Sequence, residues 1–248
     1  MSGLYTTFLF QPIFNLLVWL HNVIPGHNIG LAIIALTVLV KLILWPITLK
    51  SLKSQKALQE IQPKMEELKR KYPNKEDKEK LAKEMMELYS KEKVNPLSSC
   101  LPLLVQLPVF IALYQSLSRG LQSSGFDLLY PFVSNPGTIN TSLFGVVDLG
   151  SPNVMLAVLA AVSQFFQARM MITCQQPKKV PGAKDEQALA SMNKSMVYAM
   201  PVVTLIIGLR FPGGLTLYWL TMNLLTILQQ RLTLGRKNPI AEASEVQK

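Results

Sequence analysis

The chain has 248 residues, 49% of them hydrophobic and only 16% charged, with a formal net charge of +10. So low a charged fraction, carried with long apolar runs, argues against a soluble domain and indicates an integral membrane protein. The basic surplus clusters beside the apolar runs, where topology explains it better than nucleic-acid binding does, so no specific nucleic-acid recognition is expected.

Residues 1–27 open the chain with Phe8-Leu-Phe-Gln-Pro-Ile-Phe-Asn-Leu-Leu-Val-Trp-Leu-His21 and no Lys or Arg. No basic leader region or small-residue cleavage site is visible, so no removable signal peptide is expected. Pro12, Asn15 and His21 interrupt the run, which predicts a helix lying in the outer interface in preference to a sixth span.

The first span is predicted at 28–49, and it holds Lys41 in an otherwise uncharged stretch. Counted from Lys50, Lys41 lies about 13 Å deep at helical rise. A lysine at the centre of a bilayer costs about 2.5–3.5 kcal/mol, so it requires a partner, a water-filled cavity or a way out. At 100° per residue, Thr37, Lys41, Trp45 and Thr48 share an arc of about 80°.

Residues 50–95 carry thirteen of the 25 basic residues. Leu58, Ile61, Met65 and Leu68 recur at helical spacing, as do Leu81, Met85 and Leu88, and Tyr72-Pro-Asn74 separates the two series. This predicts a soluble helical hairpin whose arms bury narrow apolar stripes, with its charges beside anionic lipid.

Four more spans are predicted at 96–117, 153–174, 194–211 and 213–232, giving an all-α membrane protein with five transmembrane helices. The second and fourth are mostly apolar and suit a lipid-like wall. The third carries Ser163 and Gln167 on one face with Gln164 close by, and the fifth carries Thr216, Trp219, Asn223, Thr226 and Gln230. Phe211-Pro-Gly-Gly214 makes a tight turn between the last two. The three polar stripes should face one another around a hydrophilic groove. No Asp or Glu falls within any of the five spans, so Lys41 has no permanent intramembrane counterion and suits a transient anionic or polar visitor.

Lys and Arg crowd 50–95, the 175–194 connection and the basic tail 233–248, whereas 118–152 carries only Arg119. The N-terminus is therefore expected outside and the C-terminus in the cytoplasm. Cys100 and Cys174, the only cysteines, are expected neither to form a disulfide nor to make a metal site. With no phosphate loop, no His-Glu-x-x-His and no histidine in a span, neither catalytic residues nor a cofactor is expected.

Val40-Lys-Leu-Ile-Leu-Trp-Pro-Ile47, Gln62-Pro-Lys64, Lys93-Val-Asn-Pro-Leu97, Pro102-Leu-Leu-Val-Gln-Leu-Pro108 and Phe211-Pro-Gly-Gly-Leu-Thr-Leu-Tyr-Trp219 with Asn223 resemble the YidC membrane insertases. The resemblance runs from about residue 8 to 233. It implies a groove open to cytoplasm and lipid, with Lys41 in place of the usual arginine; the charge is kept and the fixed five-donor fork is lost. It implies groove-lining roles for Gln167 and Trp219 and a substrate-proximal role for Tyr218, beside Thr37, Thr48, Ser163 and Asn223 from the stripes. The second and fourth spans, with Leu104, Val105, Phe110, Val203 and Ile206, correspond to the family's sliding surface for an incoming hydrophobic helix. The implied partners are nascent membrane proteins, with the ribosome, the Sec translocon and anionic lipids as further candidates. The implied location is the bacterial plasma membrane. The rival readings are a small-anion transporter or channel using Lys41 as its binding charge, and a scaffold without a client.

Overall fold

The computed structural model describes residues 3–72, 77–95, 101–122, 124–173 and 198–234. Helices dominate: α1 (Gly3–Val23), α2 (Ile29–Glu60), α3 (Gln62–Lys71), α4 (Lys78–Lys91), α5 (Leu101–Leu121), α6 (Val154–Thr173), α7 (Tyr198–Gly208) and α8 (Gly213–Leu234). A two-stranded antiparallel ribbon, β1 (Ser142–Leu143) and β2 (Val147–Asp148), pairs Ser142 with Asp148 and Leu143 with Val147 in the 122–153 loop. By length and composition, two stretches qualify to cross a membrane among the described residues, Gly3–Val23 and Ile29–Leu58. Cys100, Cys174, the 175–194 connection, Pro73-Asn74 and the tail from 235 fall outside the described residues.

The helix that contains the first predicted span runs beyond it. α2 does not stop near 49 but continues to Glu60, because Leu49 to Glu60 holds no glycine or proline and helix formers carry it past the apolar run. Ile61 then breaks it, and Pro63 sits in the first turn of α3, where a missing N–H costs nothing.

In α1, Pro12, Asn15 and His21 do not interrupt the helix. A π-helical turn at Thr6–Phe10 precedes the regular part, which begins at Gln11 with Pro12 in its first turn, and Asn15 and His21 are turned inward. Asn15 donates to the Leu128 carbonyl at 3.0 Å and accepts from the Tyr130 N–H at 2.6 Å, pinning the loop. Along α1, the Tyr5 hydroxyl reaches Gln115, Phe10 lies under the Arg119 guanidinium at 4.9 Å, and Leu17 packs beside Gly120. About 18 Å of α1 thus meets about 8 Å of α5. α1 therefore lies across the end of α5 nearest the loop.

The apolar core gathers at that end. It takes Phe14, Leu17 and Val18 from α1, Ile29, Ile33, Leu36 and Val40 from α2, and Leu113 and Leu117 from α5. Val133, Ile139 and Leu149 of the loop and Leu215 of α8 complete it. The Phe211-Pro-Gly-Gly214 turn fits beneath the loop because its backbone comes close. The Gly213 and Gly214 N–H groups donate to the Ser151 and Leu149 carbonyls, both at 2.9 Å, and a Cβ on Gly213 would stand 3.2 Å from the Asp148 and Ser151 carbonyl oxygens. Asp148 ties the loop itself, accepting from the Thr141 hydroxyl at 2.6 Å, the Ser151 hydroxyl at 2.6 Å and the Gly150 N–H at 2.9 Å. These bonds, Ser151 first, hold its carboxyl below the usual range.

At the other end α3 and α4 form an antiparallel pair. Lys64 bonds Glu92 at 2.6 Å, the Tyr89 hydroxyl meets the Met65 sulfur at 3.6 Å, and Lys71 and Tyr72 both donate to Glu84, at 3.0 and 2.5 Å. Met65, Leu68, Leu81, Met85 and Leu88 are half-buried on the facing sides, and Ile61 is buried at the base.

Candidate functional site

Below the apolar core the interior changes character. On α2 the buried residues run Ile29, Ile33, Leu36, Thr37 and Val40 and then Lys41, Ser51 and Leu52, with Thr48 half-buried. On α8 they run Leu215, Thr216, Leu217 and Tyr218 and then Asn223, Gln229 and Gln230, with Thr226 half-buried. α8 packs against both α2 and α6 and is the spine on which the polar groups meet.

Lys41 is 5% exposed. Its Nζ donates to the Thr226 hydroxyl at 3.0 Å, and that hydroxyl donates in turn to the Met222 carbonyl at 2.8 Å. One of three ammonium donors is thereby used, with no second partner among the described residues. One turn further, Gln229 Nε2 donates to the Thr48 hydroxyl at 2.9 Å. Thr48 also bonds back to the Leu44 and Trp45 carbonyls, at 3.1 and 3.0 Å. Thr37 is fully buried and bonds back to the Ile33 carbonyl at 2.6 Å. The opposite face of α2, with Leu42, Ile43 and Ile47, is exposed. An apolar outside around a polar inside suits a helix in lipid.

On the other flank of α8, Asn223 donates to the Ser163 hydroxyl at 3.0 Å and the Ala160 carbonyl at 3.2 Å on α6. Small residues permit this approach: Ala157, Ala160 and Ala161 are buried, and Gly208 of α7 sits where a Cβ would come within 2.9 Å of the Ala157 Cβ. The Thr204 hydroxyl of α7 donates to Gln164 Oε1 on α6.

Some members of the three stripes are brought together, Lys41 with Thr226, Thr48 with Gln229 and Ser163 with Asn223, in two rows along α8. Asn223 faces α6, while Thr226 and Gln229 face α2. The single arc drawn from the sequence merged the two rows. It took in Gln230, which is buried with its Oε1 unpaired, and passed over Gln229, which lies about 100° away. The signal for Gln229 was its position three residues after Thr226. Gln106 was also missed as a site residue; its amide donates to the Tyr218 hydroxyl. Tyr218 is buried, with its ring 6.4 Å from that of Phe110. Gln167, Trp219, Thr48 and Trp45 are half-buried. Trp219 lies edge-on to Phe110 at 6.0 Å. Of the expected sliding surface, Val203 and Ile206 are exposed on α7, Val105 and Phe110 are half-buried on α5, and Leu104 lies in the same helix.

Comparison with known proteins joins these features to a family. The model of the 60Kd inner membrane protein family matches residues 19–239. A membrane protein insertase YidC of Oceanobacillus iheyensis is 34% identical over 236 residues, covering 93% of this chain and 84% of that one. A YidC 2 of Listeria innocua is 33% identical, covering 98% of this chain and 76% of its own length. A YidC of Fusobacterium nucleatum is 37% identical over 203 residues, 82% of this chain and 84% of that one.

Proposed function

The chain belongs to the 60Kd inner membrane protein family of YidC insertases, and from that premise we propose that its polar seam is the path along which it inserts nascent membrane proteins. It is a membrane protein insertase and not an enzyme. The observation that carries the path is the change of interior along α2 and α8, from an apolar core at the loop end to hydrogen-bonding side chains from Lys41 onward.

On this reading five helices span the bilayer: α2 through its apolar part, α5, α6, α7 and α8. The loop end faces outward and the α3–α4 hairpin lies in the cytoplasm. α1 lies at the outer interface, which its crossing of the end of α5 supports. The apolar core seals the outer end, and the seam forms a groove open to the cytoplasm. A short polar segment of a client enters there and takes over the hydrogen bonds that Thr48, Thr226 and Gln229 now make to one another or to Lys41. An exchange of bonds costs far less than leaving a polar group bare in hydrocarbon. Lys41 attracts a carboxylate on that segment more strongly than water would allow, because apolar walls weaken screening.

The client's hydrophobic helix meanwhile leaves water along α5 and α7, past Val105, Phe110, Val203 and Ile206. Its burial in lipid supplies about 25 cal/mol per Å², so no nucleotide is needed. Clients are nascent membrane proteins, with the ribosome, the Sec translocon and anionic lipids as proposed collaborators.

Photocrosslinkers at Lys41, Gln167 and Tyr218, tested against a stalled nascent chain bearing one transmembrane segment in reconstituted vesicles, examine the path. Crosslinks that appear as the segment emerges, with its protected insertion, are expected. A silent seam while insertion proceeds would place the path elsewhere. The small-anion transporter is not favoured, since the relatives are insertases by name.

A further inference from the structure

The β1–β2 ribbon of the 122–153 loop ends in an apolar tip. The Val146 N–H donates to the Leu143 carbonyl at 3.0 Å, and the two residues between them, Phe144 and Gly145, both have positive φ, 51° and 74°. A hairpin turn of this kind favours Asn-Gly, because asparagine and glycine accept the left-handed region and a phenylalanine is hindered there. Phe144 nonetheless takes the first of those positions, 67% exposed, beside Val146 at 84%. A side chain that burdens its turn and touches little of the protein is explained by what it meets outside.

The position of the ribbon says what lies outside. Leu143 packs so closely on Gly30, in the first turn of α2, that no Cβ could be added there. From Ile29 to Leu49, α2 extends about 30 Å, the thickness of the hydrocarbon layer, and Lys50 follows. With α2 across the bilayer, Lys50 at one surface puts Gly30 at the other. The ends of a β-turn are less than about 7 Å apart, so Phe144 and Val146 stay within the adjoining headgroup layer, which is about 5–8 Å deep. No Lys, Arg, Asp or Glu occurs from Thr138 to Val147. Asp148, at the base, has its carboxylate occupied by Thr141, Ser151 and Gly150. The apolar exterior of the bundle starts at the same end, where Val154 and Met155 are exposed in the first turn of α6.

We infer that the ribbon tip is a lipid anchor: Phe144 and Val146 insert among the headgroups of the outer leaflet and tether the loop that closes the outer end of the bundle. The headgroup layer suits both parts of the tip. The upper ends of the lipid chains accept the phenyl ring and the valine. Water in the same layer satisfies the backbone groups of the turn, which hydrocarbon would leave bare. An uncharged tip enters without the cost of burying an ion. The inference rests on the reading that α2 crosses the bilayer with its first turn outward, and not on the seam as the path of a client.

The test uses the full chain in nanodiscs of phosphatidylethanolamine and phosphatidylglycerol. A thiol-reactive, environment-sensitive fluorophore is attached after Phe144→Cys, with Cys100→Ser and Cys174→Ser removing the other thiols. Expected is blue-shifted emission, quenched at least twofold by lipids that carry a spin label near the headgroup and less by lipids labelled at the chain end. Water-like emission without lipid quenching would overturn the inference. So would blue-shifted emission without lipid quenching, which would put protein, such as a second copy of the chain, on the tip. Phe144→Asn gives an independent reading, because it relieves the turn and removes the anchor together. Hydrogen exchange at the Val146 and Leu149 N–H groups should quicken at least threefold in the nanodiscs. No change, or the slowing expected of a better turn standing free in water, would overturn the anchor. The crosslinks that report the client path are read separately and are untouched by either result.

Discussion

The two ends of the helical bundle are built on opposite principles. At the loop end, the helices, the 122–153 loop and the Gly213-Gly214 turn close over side chains such as Phe14, Leu36 and Leu113 with no charge among them. At the hairpin end, the same two central helices, α2 and α8, meet through hydroxyls, amides and one ammonium group. Packing holds the first end, and its loss leaves a void. Exchangeable hydrogen bonds hold the second, and each of these averages only about 0.6 kcal/mol in a membrane protein. A bundle can open where its contacts are exchangeable and stay shut where they are not.

Substitutions should separate the two ends, with the largest loss of stability at the closed one. Leu36→Ala removes a fully buried side chain and is expected to cost about 2–5 kcal/mol, measured as the fall in Tm or in resistance to denaturant. A loss near zero would show that the loop end is not closed by packing.

The largest functional effect is expected at the polar, hairpin end. Lys41→Glu reverses the seam's charge and should reduce insertion of a client with an acidic polar segment by about tenfold or more, equivalent to about 1.4 kcal/mol. Lys41→Arg should retain most of it. Protease protection of the client in vesicles reads both, and equal insertion by the Glu variant would remove Lys41 from the path.

Asn223→Ala strips two donors from the α6–α8 contact. A loss of about 1 kcal/mol is expected, with less effect on insertion than Lys41→Glu. If insertion falls further than with Lys41→Glu, the client runs along the α6 side of α8.

The hairpin sets the small end of the scale. Glu84 is held below the usual carboxylate range, first by the Tyr72 hydroxyl and then by Lys71. A depressed carboxylate contributes above its unfolded pKa and loses that contribution as pH falls through the folded value. The α3–α4 pairing should therefore be unchanged from neutral pH down to the ordinary Glu range and loosen only below it. Hydrogen exchange across α4 reads this, and Glu84→Gln should mimic the acid state at neutral pH while leaving the Tm of the bundle unaltered. A shift in that Tm would mean that hairpin and bundle are one cooperative unit.

The sequence alone determined the helical class, the two facing apolar series of the hairpin, and a lone cation on a polar stripe of α2. These follow from composition and from a period of 3.6, both local properties of the chain. It also carried the family motifs. Only the tertiary structure decided which neighbour each polar residue meets: Thr226 and Gln229 turned to α2, Asn223 to α6, and Gln164, not Gln167, bonded to Thr204. A helical wheel places residues around one axis, but the direction from which each partner approaches is set by the packing of all the helices. For the same reason Asn15 reads as a break in an apolar run, yet it is a buried anchor. Whether a polar side chain faces water or a backbone carbonyl depends on a loop more than a hundred residues away.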